Sequence, residues 1–330
     1  MAEGKRGLNI VAIGGGTGLA TLLSGLKEFV DLPNEIPAVN DLSAIVSVSD
    51  DGGSSGRLRD ELQMPPPGDI RNCMVALSED SNLLSRLFQH RFSGDGQLSG
   101  HSFGNLFLAA LSEITGDFSE AVKLSSEILA SKGHIYPATD SDVRIEAELT
   151  DGSVVQGETN ISQVGNRIRR LYLKPEDCLP MPAALEAIRN ANVITLGPGS
   201  LFTSLLPPVL VKGVSDAIQD SNAVKIFVCN LMTQPGETEG LSARRHLEIA
   251  REYAPNLNFD LIVVNSQPIS ERQSELYQTG GAEQIGVHGS MADETIEGAK
   301  VVRAEMLADG NMVRHDPLKL ARTVLFCIRN

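Results

Sequence analysis

Leu8-Asn9-Ile10-Val11-Ala12-Ile13 runs without a charge into Gly14-Gly15-Gly16-Thr17-Gly18, after which Leu19, Leu22, Leu23, Leu26 and Phe29 return at helical spacing. A continuous apolar run, a glycine turn and an amphipathic stretch read as strand, turn and helix. Glycines let a backbone approach a phosphate closely, and the helix that follows aims free N–H groups and a partial positive charge at it. Thr17 adds a hydroxyl donor. The spacing is not the dinucleotide fingerprint, because Leu19 stands where its last glycine belongs, and no Walker A lysine follows the glycines. The turn therefore predicts an anion site without naming the anion.

The next strand, expected over Ser43–Val48, opens into Ser49-Asp50-Asp51-Gly52-Gly53-Ser54-Ser55-Gly56. Two adjacent carboxylates repel each other unless something cationic or donating satisfies them. Asp50 and Asp51 are open to four readings: ribose acceptors, ligands of a Mg²⁺ beside a diphosphate, a general base in phosphoryl transfer, or caps of the turn behind them. Ser54, Ser55 and the successive amides form an anion nest. Arg57 and Arg59 are candidate phosphate clamps or ordinary helix-start residues. Pro65-Pro66-Pro67 then leads rigidly into Gly68-Asp69-Ile70-Arg71-Asn72, with Asp69 expected as a helix N-cap and Arg71 and Asn72 on the first turn. His101 and Asn105 share one helical face, and Gly104 between them suggests close approach of another group.

Later strands repeat the pattern of an apolar run ending in small polar residues. Val193–Leu196 runs into Gly197-Pro198-Gly199-Ser200, a second anion loop able to face the first. Lys225–Cys229 runs into Asn230-Leu231-Met232-Thr233-Gln234, and Leu261–Val264 into Asn265-Ser266. Ligands of open parallel sheets bind at those carboxyl ends. Tyr277 stands among polar residues and can stack on a base. Arg314, in Arg314-His315-Asp316 after Gly310, can pair with a diphosphate.

These patterns predict an α/β chain, a Rossmann-like doubly wound and mainly parallel sheet. Between its parts, 1–133 and 176–330, the alternating segments Val143–Leu149, Ser153–Thr159 and Ile168–Leu173 predict a small β insertion over 134–175. With 330 residues, 42% hydrophobic, 4% aromatic and no Trp, the core has to be built from Val, Ile, Leu and Ala, as parallel strands covered by helices require. The net charge of −14 argues against broad contact with nucleic acid or anionic membranes. Arg167, Arg169 and Arg170 form a local basic spot, expected to be a solvated strand face. The four cysteines lack metal-ligand spacing and read as buried thiols of a reducing compartment. No apolar run reaches the roughly 18 residues of a membrane span, and Leu8–Ile13 is too short for a signal-peptide core. A cytoplasmic protein without membrane insertion is expected.

The motifs are long enough to carry a resemblance. Ile13–Leu19, Ala44–Arg59, Pro66–Cys73, His101–Leu106, Gly197–Leu201 and Asn230–Thr238 together resemble the gluconeogenesis factor (YvcK-like) family over about residues 8 to 325. That family shares a superfamily with the CofD-like 2-phospho-L-lactate transferases. The resemblance implies a Rossmann-like fold and binding of UDP-sugars such as UDP-N-acetylglucosamine. It also implies a role in cell shape and cell-wall homeostasis during growth on gluconeogenic carbon sources. By matching position, Tyr277 and Arg314 are similar to that family's UDP-sugar contacts. Asp50-Asp51 is common to both branches, whereas Gly52–Gly56 is the gluconeogenesis-factor version. Transferase activity therefore does not follow from the resemblance, and the alternative is a Mg-dependent phosphotransferase using a nucleotide diphosphate donor. The expected ligand set is Gly14, Gly15, Gly16, Thr17, Gly18, Asp51, Ser54, Ser55, Gly68, Asp69, Arg71, Asn72, His101, Asn105, Gly197, Gly199, Ser200, Asn230, Thr233, Gln234, Tyr277 and Arg314, with Asp50 as catalytic or metal-binding carboxylate. A homodimer and a regulatory protein partner are also expected.

Overall fold

The first apolar run forms β1 (Leu8–Gly14), and its last five residues are buried. The computed structural model describes residues 7–32, 38–79, 83–164, 168–286 and 294–328. The remaining strands are β2 (Val39–Val46), β3 (His134–Pro137), β4 (Arg144–Leu149), β5 (Val154–Gln156), β6 (Ile168–Lys174), β7 (Val193–Leu196), β8 (Val224–Val228), β9 (Leu261–Asn265), β10 (Thr295–Ile296) and β11 (Ala299–Ala304). Eight of them make one sheet in the order β10-β11-β9-β8-β7-β1-β2-β3. Every strand pairing in it is parallel except β10 with β11, which is antiparallel. The expected α/β, mainly parallel sheet is what the chain adopts.

Strand periodicity divides the core. Ile10 and Ala12 face one side, with Ala44, Val46 and Val263, and pack against the helices that include α1 (Gly16–Leu26) and α3 (Gly68–Leu77). Val11 and Ile13 face the other, with Ile45, Leu196 and Phe227, against helices Pro182–Asn190 and Ala243–Tyr253. Burying each such side chain is worth about 1.5–3 kcal/mol, which is why both faces of these strands are apolar. Leu19, Leu22, Leu23 and Leu26 of α1 are all fully buried, as their helical spacing predicts.

The order places β1 in the interior of the sheet, with β2 and β3 on one side and β7, β8, β9 and β11 on the other. The chain first builds outward from β1 in one direction and then resumes at β7 on its opposite flank. The carboxyl ends of β1 and β7 therefore meet at the point where the winding reverses, and a crevice opens there.

Two expectations are corrected. The second strand starts at Val39 and ends at Val46, leaving Ser47 and Val48 past its end. His134–Pro137 belongs to the large sheet, paired parallel with Ser43–Val46, so the small sheet (order β5-β4-β6) spans 144–174 and does not begin at 134. Arg59, on α2 (Gly53–Leu62), ties that sheet down. Its Nε donates to Asp142 Oδ1 at 2.6 Å, its Nη2 donates to the Val143 carbonyl, and the residue is 1% exposed. Arg144 pairs with Asp60 of the same helix. No single helix among the described residues is long and apolar enough to cross a membrane.

Candidate functional site

The two glycine loops meet at the reversal point. The Ser47 amide donates to Gly14 O at 2.8 Å, and the Gly197 amide donates to Ile13 O at 3.1 Å, so β2 and β7 fix the turn from both flanks. The loops are in contact: a Cβ on Gly18 would lie 2.4 Å from the Pro198 carbonyl oxygen, which only glycine permits. Asn230, at the end of β8, clamps the second loop. Its Nδ2 donates to Gly199 O at 2.6 Å while its Oδ1 accepts the Gly199 amide at 3.0 Å. Gln234 Nε2 donates to Ser200 Oγ at 2.7 Å. Gly15 caps α1 without a side-chain bond of its own, and the Gly16 amide in the first turn is met by the Asp69 carboxyl.

A cleft of about 730 Å³ opens over these loops. Gly15, Gly16, Thr17, Gly18, Gly199, Ser200, Asn230, Thr233 and Gln234 line its floor, and Tyr277 and Arg314 stand at its far end with Leu276, Met312, Val313 and His315. Tyr277 packs beside Leu231, Met232 and Val313, and its hydroxyl accepts the Val313 amide at 3.1 Å. Arg314 is exposed, and its guanidinium has no hydrogen-bond or ion-pair partner among the described residues. Thr233 Oγ1 accepts the Glu283 amide at 2.8 Å and holds its own segment in place. Gly14 and Gly197 lie in the same loops just beneath the lining.

Carboxyls cluster beside the cleft, and of them Glu158 lines it. Asp69 is not an N-cap: α3 begins at Gly68 behind Pro67, and Asp69 sits in its first turn. Its carboxylate reaches the first glycine loop, where a Cβ on Gly15 would come within 2.6 Å of Oδ2. Burial, then the charge of Asp50, pushes Asp69 up to about 7, against the Gly16 amide, Arg71 and Asn72, which favour the ionised form. Glu158 is pushed up to about 9 by burial, with Asp69, Asp50, Glu237 and Asp51 adding repulsion. Burial lifts Glu237 to about 7 despite the Ser162 hydroxyl. Asp50 Oδ1 accepts the Gly52 amide at 2.9 Å, and Asp51 Oδ1 accepts Thr159 N–H and Oγ1–H at 2.9 and 2.8 Å. Among the described residues no group of three or more His, Cys, Asp or Glu could hold a metal ion. A Mg²⁺ at Asp50 would therefore depend on oxygens brought by a ligand and by water.

Other expected residues form a polar network behind the cleft. Ser54 Oγ lies 3.0 Å from His101 Nδ1 and accepts from Asn105 Nδ2 at 3.1 Å, and Asn105 Nδ2 lies 3.5 Å from Ser55 Oγ. Arg71 donates to Ser102 Oγ at 2.6 Å, Asn105 Oδ1 at 3.1 Å and Asn72 Oδ1 at 2.7 Å. Burial and Arg57 hold His101 below its ordinary range, which suits a neutral ring beside a hydroxyl. Gly68 packs against Ser55 and Asp50. Asn72 lines a separate groove of about 450 Å³ that runs along α1 from Thr17. Neither arginine of α2 reaches the loops: Arg57 donates to Ser99 O at 2.7 Å, and Arg59 is the buried tie described above. Arg169 pairs with Glu148 at 2.8 Å and Arg170 lies over the Tyr172 ring, a solvated face as expected, while Arg167 is outside the described residues. Glu158 and His315 line the cleft without having been singled out as ligand residues. His315 stood in view beside Arg314, whereas nothing in the sequence around Glu158 marks it.

The description "2-phospho-L-lactate transferase CofD" belongs to a family whose pattern matches residues 10–307 of this chain. The gluconeogenesis factor of Halalkalibacterium halodurans is 44% identical over 96% of this chain and 95% of its own length, and that of Bacillus subtilis is 42% identical over 94% and 95%. A putative gluconeogenesis factor of Nostoc is 46% identical over 97% of this chain and 68% of its own. A crystal structure of a Bacillus halodurans protein, described as a member of the UPF0052 family, superposes with a TM-score of 0.90 at 43% identity, covering 97% of this chain and 99% of that one.

Proposed function

Since the chain belongs to the CofD family, and within it to the gluconeogenesis factors, we propose that it binds a UDP-sugar of the UDP-N-acetylglucosamine type and regulates cell shape and cell-wall homeostasis during gluconeogenic growth. The observation that carries this reading is the pairing of two contacting glycine loops with Arg314, whose guanidinium has no partner among the described residues, in one cleft. The two glycine loops at the start of α1 and after β7 suit a diphosphate, because residues without side chains let its oxygens approach the backbone closely. Tyr277 offers a ring edge and Arg314 a fork of donors at the nucleoside end. Binding that favours one arrangement of the loops would shift a conformational equilibrium that a protein partner reads.

Calorimetry with UDP-N-acetylglucosamine tests the proposal. The wild type is expected to bind, and Arg314→Ala to bind about 10- to 100-fold more weakly, the size of one lost charge-assisted contact. Absence of binding by the wild type overturns the reading. Turnover of a nucleotide diphosphate donor that disappears in Asp50→Asn would instead make the protein a transferase.

A further inference from the structure

The segment from Met306 to Asp316 closes the far end of the cleft, and its backbone is tied back on itself. The Ala308 amide donates to Arg314 O at 2.9 Å and the Asp316 amide to Met306 O at 2.8 Å, with Leu307 bridged to His315 between them. Gln273 Nε2, on the helix Glu271–Gln278, donates to Gly310 O at 3.0 Å. Asp316 caps the helix Pro317–Phe326 by accepting the Lys319 amide at 2.8 Å. His315 is thereby fixed in a stretch of wall that it shares with Leu276, Tyr277, Met312 and Val313. It is only 9% exposed, yet neither ring nitrogen has a hydrogen-bond partner among the described residues, and Nε2 is enclosed. Nδ1 is thus the nitrogen left for a ligand. Burial lowers the ring to about 4, so near neutral pH it carries a single proton. An enclosed N–H without an acceptor is a rarer orphan than an enclosed lone pair, which puts that proton on Nδ1. An apolar ring of the same shape would pack here without leaving a polar atom unmet.

We propose that His315 is a specificity-determining residue whose Nδ1–H donates to the 4-carbonyl of a uracil, so that the cleft takes uridine nucleotides and rejects cytidine nucleotides. The apolar and aromatic neighbours of His315 suit a flat base, while the glycine loops that suit phosphates form the floor. The 4-position lies opposite the glycosidic bond and is the part of the base that reaches furthest into the end of the cleft. Uracil carries an acceptor oxygen there, and cytosine an amino group that only donates. A donor held in place by its backbone therefore meets its partner in one base and another donor in the other. The inference rests on the UDP-sugar reading and adds the residue that chooses the base.

Calorimetry on the full chain, with UDP-N-acetylglucosamine, UDP and CDP as titrants, tests it. The wild type is expected to prefer UDP over CDP by at least about ten-fold. His315→Phe keeps a ring but has no donor, and should bring that ratio to within about three-fold of unity by weakening UDP. His315→Asn can turn either its NH2 or its oxygen to the base, and should reach a similar ratio by binding CDP more tightly than the wild type does. A side chain that only packs would shift both nucleotides together and leave the ratio alone. A wild type that prefers UDP by less than about three-fold, or whose preference survives in both variants, overturns this inference while the UDP-sugar reading stands on its own titration. A wild type that binds none of the three overturns both.

Discussion

Replacing Glu237 by Gln should stabilise the protein in mild alkali and leave it nearly unchanged in mild acid. Burial raises the Glu237 carboxyl from 4.5 to about 7. The folded chain therefore holds that proton more tightly than the unfolded chain does. The stabilisation is complete below about pH 4.5 and is lost as pH rises through 7. Above that, folding keeps a charge in a place where only 7% of the residue is exposed. At about 1.4 kcal/mol per factor of ten in proton affinity, the cost approaches about 3 kcal/mol. Gln keeps the shape and still accepts the Ser162 hydroxyl, but carries no charge. Glu237→Gln should thus gain about 2–3 kcal/mol at pH 8.5, and little at pH 4.5. The chain has no Trp, so urea unfolding is best followed by far-ultraviolet circular dichroism at both pH values. A variant less stable than wild type at pH 8.5, or one with the same offset at both, refutes the argument. The expected gain also implies that the wild type retains a costly buried carboxyl against the segment that carries Glu158.

His315 should give the opposite pH limb. Burial lowers it from 6.5 to about 4, so the unfolded chain takes up a proton that the fold refuses, and stability falls by about 3 kcal/mol as pH drops from 6.5 to 4. Urea midpoints of His315→Gln should fall less steeply over that range, and parallel curves would count against it. Gly18→Ala places a methyl 2.4 Å from the Pro198 carbonyl oxygen and should cost about 1–3 kcal/mol by forcing the loops apart. Thermal unfolding and UDP-N-acetylglucosamine calorimetry read it together, and a variant normal in both would show that the loops do not need their contact.

The strand ends and both glycine loops were legible because each is a local pattern: an apolar run, then residues whose small size admits a close backbone. What escaped depends on partners distant in the chain. Two residues of helix register turn Asp69 from an expected cap into a carboxyl against Gly15. Arg59 reads as a phosphate clamp until Asp142, 83 residues on, takes its guanidinium into the interior. His101 and Asn105 do share a face, but that face meets Ser54 across about fifty residues instead of opening on the cleft. His134–Pro137 is too short, and too close to alternating strands, to reveal that it pairs with β2. Glu158 enters the cleft only because Asp51 and Glu237 hold its helix, an arrangement that no spacing encodes.

The place of β1 between β2 and β7 also sets a timetable for synthesis. The Asn9 amide, at the start of β1, donates to the side chain of Asn192, 183 residues later. At about 5–20 residues per second on a ribosome, that partner emerges roughly 10 to 40 seconds after β1. Until then β1 has one flank open, an apolar edge of the kind that invites pairing with other chains. The cleft is not yet formed either, since one of its two loops is still unmade. A nascent chain of this protein is therefore expected to lean on chaperones through most of its first two hundred residues, and to become able to hold a ligand only late in translation.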